Sequence, residues 1–239
     1  MGAGWASSCS TPGPAASAAG LPASSAGGGK PSEVDRVLIA RHHLPGVLRL
    51  PPRPSGLLVF ALGAGSSCRS PRNIRLAEDF CSSNFATLLF DLLDDEEALE
   101  RGNVFDIAKL SSRLVEAVRW AEGDARVSHL PLALLSARTG AAAALRASVS
   151  LAGRVKAVVA RRGRPDLVED VLAQVRTPTL FVVGGKDIRS LQISRRACEQ
   201  MRCKVDLQIV EGAASLFESA EIYRTTFDMM ALWLHRELD

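Results

Sequence analysis

The sequence predicts an α/β domain: a doubly wound, mostly parallel sheet with helices on both faces and a hairpin at its N-terminal edge. Three observations predict it. Continuous apolar runs recur along the chain, as strands buried on both faces require. Segments of helical spacing separate these runs, and right-handed strand–helix–strand crossovers then wind the sheet on both sides. The length of 239 residues, with 47% hydrophobic and 23% charged, suits one such domain.

Residues 1–33 stand apart. Ala, Gly, Ser and Pro dominate them, with no acid before Glu33 and no base before Lys30. So little apolar surface cannot offset chain entropy, which predicts a disordered arm ahead of a single domain over 34–239. An organelle address is the alternative reading, although transit peptides are usually Arg-rich and this arm has no Arg. The charged start and apolar core of a secretory signal are also missing.

The domain opens with two extended candidates, 34–40 and 46–50, with Leu44-Pro45-Gly46 as the turn and Pro51, Pro52 and Pro54 closing the hairpin. Apolar runs follow at 57–62, 85–90, 130–135, 155–159, 179–183 and 205–210, which predicts about six parallel strands. Ser70-Pro71 places Pro at a first helical position, opening a helix over 72–80. Phe105, Ile107, Leu110, Leu114 and Val118 recur at helical spacing, and 140–147 is Ala-rich and strongly helix-forming. Pro165 opens a helix over 166–174, and helices over 190–201 and 220–238 complete the set.

Composition excludes several classes. A net charge of +3 is too small to imply nucleic acid as partner, and no apolar run approaches a membrane span. The five cysteines, Cys9, Cys68, Cys81, Cys198 and Cys203, are scattered and odd in number. They form neither a disulfide framework nor a zinc motif, so a reducing, cytoplasmic setting is expected. No cluster has metal-ligand spacing, and no cofactor or metal is expected.

Open sheets of this kind bind ligands beyond the carboxyl ends of their strands. The informative residues are therefore the turns Leu62-Gly63-Ala64-Gly65-Ser66-Ser67, Asp91-Leu92-Leu93-Asp94, Ser136-Ala137-Arg138-Thr139-Gly140, Gly184-Gly185-Lys186-Asp187 and Gly212-Ala213-Ala214-Ser215-Leu216-Phe217. FALGAGSSCRSPRN at 60–73, ATLLFDLL at 86–93, Arg164-Pro165-Asp166-Leu167 and Thr177-Pro178-Thr179-Leu180 occur in this order. Together with these turns they resemble the α/β-hydrolase fold, specifically its dienelactone-hydrolase-like branch.

The resemblance implies a Ser nucleophile on a strand-to-helix elbow, a His base on a late loop and an Asp that orients the His. Matching Thr139-Gly140-Ala141 to the family's elbow puts Arg138 at the nucleophile position. A guanidinium stays protonated and cannot attack a carbonyl. Ser136 lies two residues too early, at the end of the strand. Ser215 stands where the family carries its His, and serine has no titration near neutral pH. The histidines His42, His43, His129 and His235 fall on none of the binding turns. Asp187 is retained in the family's acid position, with a helix N-cap as its alternative role. Leu62 replaces the family's His before Gly-x-Gly, yet that loop donates backbone N–H groups, which survive side-chain change. Cys68 lies on the same turn beside Arg69, but lacks a partner His and is expected to be an inert thiol.

Two outcomes follow for Arg138. It pairs with Asp187 and fills the old site, or it joins the helix N–H groups in holding a carboxylate or phosphate. The ion pair is the favoured expectation. The reading is a hydrolase fold without Ser-His-Asp catalysis, acting as a scaffold or binding a small anionic or carboxylate ligand through Leu62, Gly63, Arg138, Thr139 and Asp187. The alternative is an active hydrolase of esters or lactones that uses other residues.

Overall fold

The computed structural model describes residues 32–63, 67–214, 216 and 219–239. Nearly all of the 1–33 arm lies outside these, as do Ala64-Gly65-Ser66 and Ser215.

Eight strands form one sheet in the order β1-β2-β4-β3-β5-β6-β7-β8. β1 (Glu33–Ile39) and β2 (Leu44–Leu50) are the antiparallel edge hairpin, and β2 runs antiparallel to β4 (Phe85–Phe90). The remaining pairings, through β3 (Gly56–Ala61), β5 (Leu132–Ala137), β6 (Val155–Arg161), β7 (Thr179–Gly184) and β8 (Val205–Val210), are all parallel. The expected doubly wound sheet, with six parallel strands beside a hairpin, is therefore present.

Strand periodicity sends alternate side chains to opposite layers. In β3, Leu57, Val59 and Ala61 enter one core while Leu58 and Phe60 enter the other. The first core is roofed by α3 (Ile107–Gly123), α4 (Thr139–Ser150), the short α5 (Glu169–Leu172) and α6 (Ile188–Gln200). The second is roofed by α1 (Pro71–Ser82) and α7 (Ala220–Leu238). There Phe80 packs on Phe227 with centroids 4.8 Å apart. Trp233 is fully buried and donates its indole N–H to Asp206 at 2.7 Å. No helix among the described residues is long and apolar enough to cross a membrane.

Four local expectations are corrected. The hairpin turns at Ala40–His43, with Ala40 at φ 53° and His43 at φ 48°, while Leu44-Pro45-Gly46 lies within β2. Pro45 is tolerated because its carbonyl accepts from Asp91 N, so its missing N–H also points to the side where the β2–β4 ladder ends. The helix expected through Phe105 and Ile107 is two: α2 (Arg101–Phe105) ends, and Asp106 caps α3 by accepting from Lys109 N at 2.9 Å. Residues 166–174 form a 3-10 turn and the four-residue α5, too short for the expected helix. The fifth strand starts at Leu132, because Leu130 N closes the preceding turn on the Val127 carbonyl and Pro131 has no N–H to give.

α4 passes very close to the sheet. Ala141 through Ala144 are fully buried, so small side chains set the approach. A Cβ added at Gly140 would stand 2.0 Å from the carbonyl oxygen of Ala61, a backbone clash that no rotamer can relieve. Gly140→Ala should therefore destabilise the fold by about 3 kcal/mol or more, as severe overpacking does. Urea unfolding measures this, and a loss below about 0.5 kcal/mol would refute so tight a crossing.

Candidate functional site

β5 ends at Ala137 and α4 begins at Thr139, so the chain turns from strand to helix through Arg138 alone. Arg138 holds φ 54° and ψ −127°, a region that costs a side-chain-bearing residue of order 1–3 kcal/mol. The conformation is pinned from three sides. Arg138 N donates to the Arg161 carbonyl at 3.4 Å, and the Arg138 carbonyl accepts from Ala141 N at 3.2 Å and Arg164 N at 3.1 Å. This is the sharp elbow that lifts a side chain above the carboxyl edge of a parallel sheet.

The Arg138 side chain is exposed, and its guanidinium has no ion pair or hydrogen bond among the described residues. The favoured expectation of an Arg138–Asp187 ion pair is therefore corrected. Asp187 is engaged by Arg162, whose Nε donates to Oδ2 at 2.6 Å. Sheet order explains the choice: Arg162 directly follows β6, the neighbour of β7 whose turn carries Asp187, whereas Arg138 follows β5, one strand further away.

Asp187 also caps α6, its carboxylate accepting from Ser190 N at 3.1 Å and the Ser190 hydroxyl at 2.8 Å. Burial works against its ionisation. The Ser190 donors and Arg162 outweigh burial and hold the carboxyl below its ordinary value.

Beside the elbow, Thr139 is buried and its hydroxyl has no hydrogen-bond partner among the described residues. A Cβ at Gly63 would lie 2.9 Å from Arg138 Cβ and 3.1 Å from Thr139 Oγ1, so the bare backbone of Gly63 closes against both. Leu62 points into the core beneath, 3% exposed, and can offer a ligand only its main chain. Ser136 is fully buried, donating its hydroxyl to the Val159 carbonyl at 2.7 Å, and does not reach the site.

The late turn before Ser215 is tied to the Asp187 turn by backbone hydrogen bonds. Gly185 N donates to the Val210 carbonyl and Lys186 N to the Ala213 carbonyl, each at 2.9 Å. Gly184 makes this possible, since a Cβ there would sit 2.5 Å from the Ala213 carbonyl oxygen.

The histidines stand elsewhere. His129 is exposed in the turn preceding β5, and His235 stacks on Phe85 at 4.4 Å between centroids. The His42–His43 turn does lie at the carboxyl edge, because β2 pairs Gly46 with Phe90 at the end of β4. It is three strand spacings from β5, roughly 14 Å, and His42 Nε2 stands 3.8 Å from Glu116 on α3. Cys68 gives its backbone N–H and thiol to Asp91. Burial, reinforced by that carboxylate, pushes the thiol up to about 11.

The turn after β6 carries residues to which the sequence reading assigned no role at the site. Arg161 is 3% exposed, and burial pushes its guanidinium down to about 10, still protonated at neutral pH. Arg162 binds the acid, and Arg164 pairs with Asp166 at 2.7 Å. The signal was present in Arg161-Arg162-Gly163-Arg164, directly after an apolar run and therefore at the ligand-binding edge.

Fold and elbow together define an α/β-hydrolase-fold protein. Comparison with known proteins places it more closely. A dienelactone hydrolase from Anabaena variabilis is 37% identical, with 87% of this chain and 99% of that one superposed at a TM-score of 0.82. The chain belongs to the dienelactone hydrolase family. An esterase from Pyrococcus furiosus shares the fold at a TM-score of 0.68 and 13% identity. Proteins from two Mycobacterium tuberculosis strains, carrying the provisional name phosphoribosyl transferase, are 46% identical over 173 residues. That match covers 72% of this chain but spans only 39% of the length of those relatives. No family model matches the sequence.

Two measurements check this site. Asp187→Ala should cost about 1 kcal/mol at pH 7 through loss of the cap. Because the folded-state value is depressed, the carboxylate's contribution is complete above the unfolded value of about 3.9 and fades as pH falls through the folded one. The gap between variant and parent in urea unfolding should accordingly narrow in acid; a gap independent of pH would contradict the charged cap. Iodoacetamide at pH 8 should leave Cys68 unmodified in the folded protein, and rapid alkylation there would show that burial and Asp91 do not hold the thiol protonated.

Proposed function

We propose that this member of the dienelactone hydrolase family does not hydrolyse esters by the Ser-His-Asp route and instead binds a small anion at the elbow. One observation carries the reading. An exposed guanidinium, with no ion pair or hydrogen bond among the described residues, stands on the strand-to-helix elbow, where the family resemblance puts the nucleophile. Arg138 is a permanent cation with a forked set of donors suited to carboxylate or phosphate. The N-terminus of α4 adds a favourable dipole and backbone N–H groups, and the Thr139 hydroxyl, without a partner among the described residues, supplies a further polar group. With Asp187 already neutralised by Arg162, the nearby acid does not compete for Arg138.

The provisional name of the mycobacterial relatives favours a phosphate-bearing ligand over a simple carboxylate. Those relatives are more than twice as long as the matched region, so their named activity can reside outside it. The rival reading is an active ester or lactone hydrolase with other catalytic residues, and family membership is its support.

Inorganic phosphate should raise the melting temperature saturably, and Arg138→Ala should weaken its apparent affinity at least about tenfold, roughly 1.4 kcal/mol. A shift unchanged by Arg138→Ala would dismiss the elbow as the binding site. A fluorophosphonate probe should leave the protein unlabelled. Labelling at Ser136 or Ser215 would instead establish the hydrolase reading.

A further inference from the structure

Away from the elbow, the edge hairpin has one covered face and, among the described residues, one bare face. On the covered face, Asp35 pairs with Arg126 and Ile39 enters the core roofed by α3. On the other, Val34, Arg36 and Leu38 of β1 lie in register with Arg49, Val47 and Pro45 of β2. α1 contributes Ile74 to one wall and the Cys68-Arg69 turn closes one end, leaving a groove of about 630 Å³. Val34 and Leu38, flanking Arg36 on one strand face, are more than half exposed, 56% and 59%.

The charge in this groove is one-sided. Among the described residues its lining holds three arginines and no carboxylate. Arg69 is satisfied by Asp95 at 2.6 Å, and Arg36 has no ion pair among the described residues. Arg49 is the telling case. Its side chain is 9% exposed, its Nη2 stands 3.7 Å from the outward-lying Glu78, and its Nη1 has no hydrogen-bond partner among the described residues. A buried guanidinium nitrogen left without an acceptor is costly, and an anion brought into the groove would remove that cost.

We propose that this groove binds an amphipathic monocarboxylate of the fatty-acid class. The carboxylate is received by Arg49 and Arg36, and the hydrocarbon lies along Val34, Leu38, Val47 and Ile74. The volume falls within the range of small-molecule pockets, and an apolar wall with a few convergent cations is the pattern such sites show. A free inorganic anion leaves the apolar wall in water, and a neutral lipid leaves Arg49 Nη1 without a charged acceptor; a ligand with both parts satisfies both features. Arg36 and Arg49, which receive the carboxylate, lie on β1 and β2, at least three strands from β5, and Arg138 does not line the groove.

Isothermal titration of the whole chain with decanoate below its micellar concentration tests this. The wild type should bind saturably, and decanol should bind at least tenfold more weakly. Arg49→Met should lower decanoate affinity tenfold or more. Leu38→Glu, at an exposed position that folding does not depend on, should lower it at least threefold. Arg138→Ala should leave it unchanged. Absence of saturable binding, equal binding of decanol, or affinity retained in both Arg49→Met and Leu38→Glu would overturn the proposal. So would a loss confined to Arg138→Ala, which would move the carboxylate to the elbow. The phosphate measurement on Arg138→Ala stands or falls independently of these results.

Discussion

The crossing of α4 over the end of β3 governs the functional edge of this protein. Gly140 lies so close to the Ala61 carbonyl that nothing larger fits, and the buried alanines behind it keep the helix at that distance. A helix held there can be entered from β5 only by an abrupt reversal, so Arg138 must take a backbone conformation that its side chain disfavours. The scaffold thus dictates that residue 138 projects from the sheet, whatever its chemistry. A serine in this place would be presented as a nucleophile; an arginine is presented as a cation.

Neighbouring strands then decide how charge is distributed along the edge. Arg162 reaches Asp187 because β6 and β7 are adjacent, and that pairing leaves Arg138 without a carboxylate partner among the described residues. Asp187 keeps two structural duties, capping α6 and holding the turn after β6 through Arg162. Cys68 is likewise committed: burial, reinforced by the Asp91 carboxylate, suppresses its reactivity. Two side chains that the sequence marks as chemically interesting are thereby committed to architecture.

Strand positions were legible because both-face burial writes a continuous apolar run, and the elbow was legible because Thr139-Gly140-Ala141 follows one such run directly. The partner of Asp187 was not legible. Two cations compete for that carboxylate, and the winner depends on strand order in space, which spacing along the chain does not encode. The hairpin turn was misplaced for a related reason. Proline normally signals a bend, but Pro45 sits where the ladder ends and its missing donor goes unmissed. The bare face beside it was invisible too, because alternation of Val34, Arg36 and Leu38 with Asp35, Val37 and Ile39 does not say which side a helix will cover.

The backbone ties between the turns after β7 and β8 have a consequence for how the molecule opens. Gly185 and Lys186 are anchored to Val210 and Ala213 by main-chain bonds, and Trp233 on α7 is anchored to Asp206 on β8. The last strand and last helix therefore cannot peel away without loosening the Asp187 turn. Amide protection over the terminal third of the chain should be lost in a single cooperative step, rather than by fraying from the C-terminus.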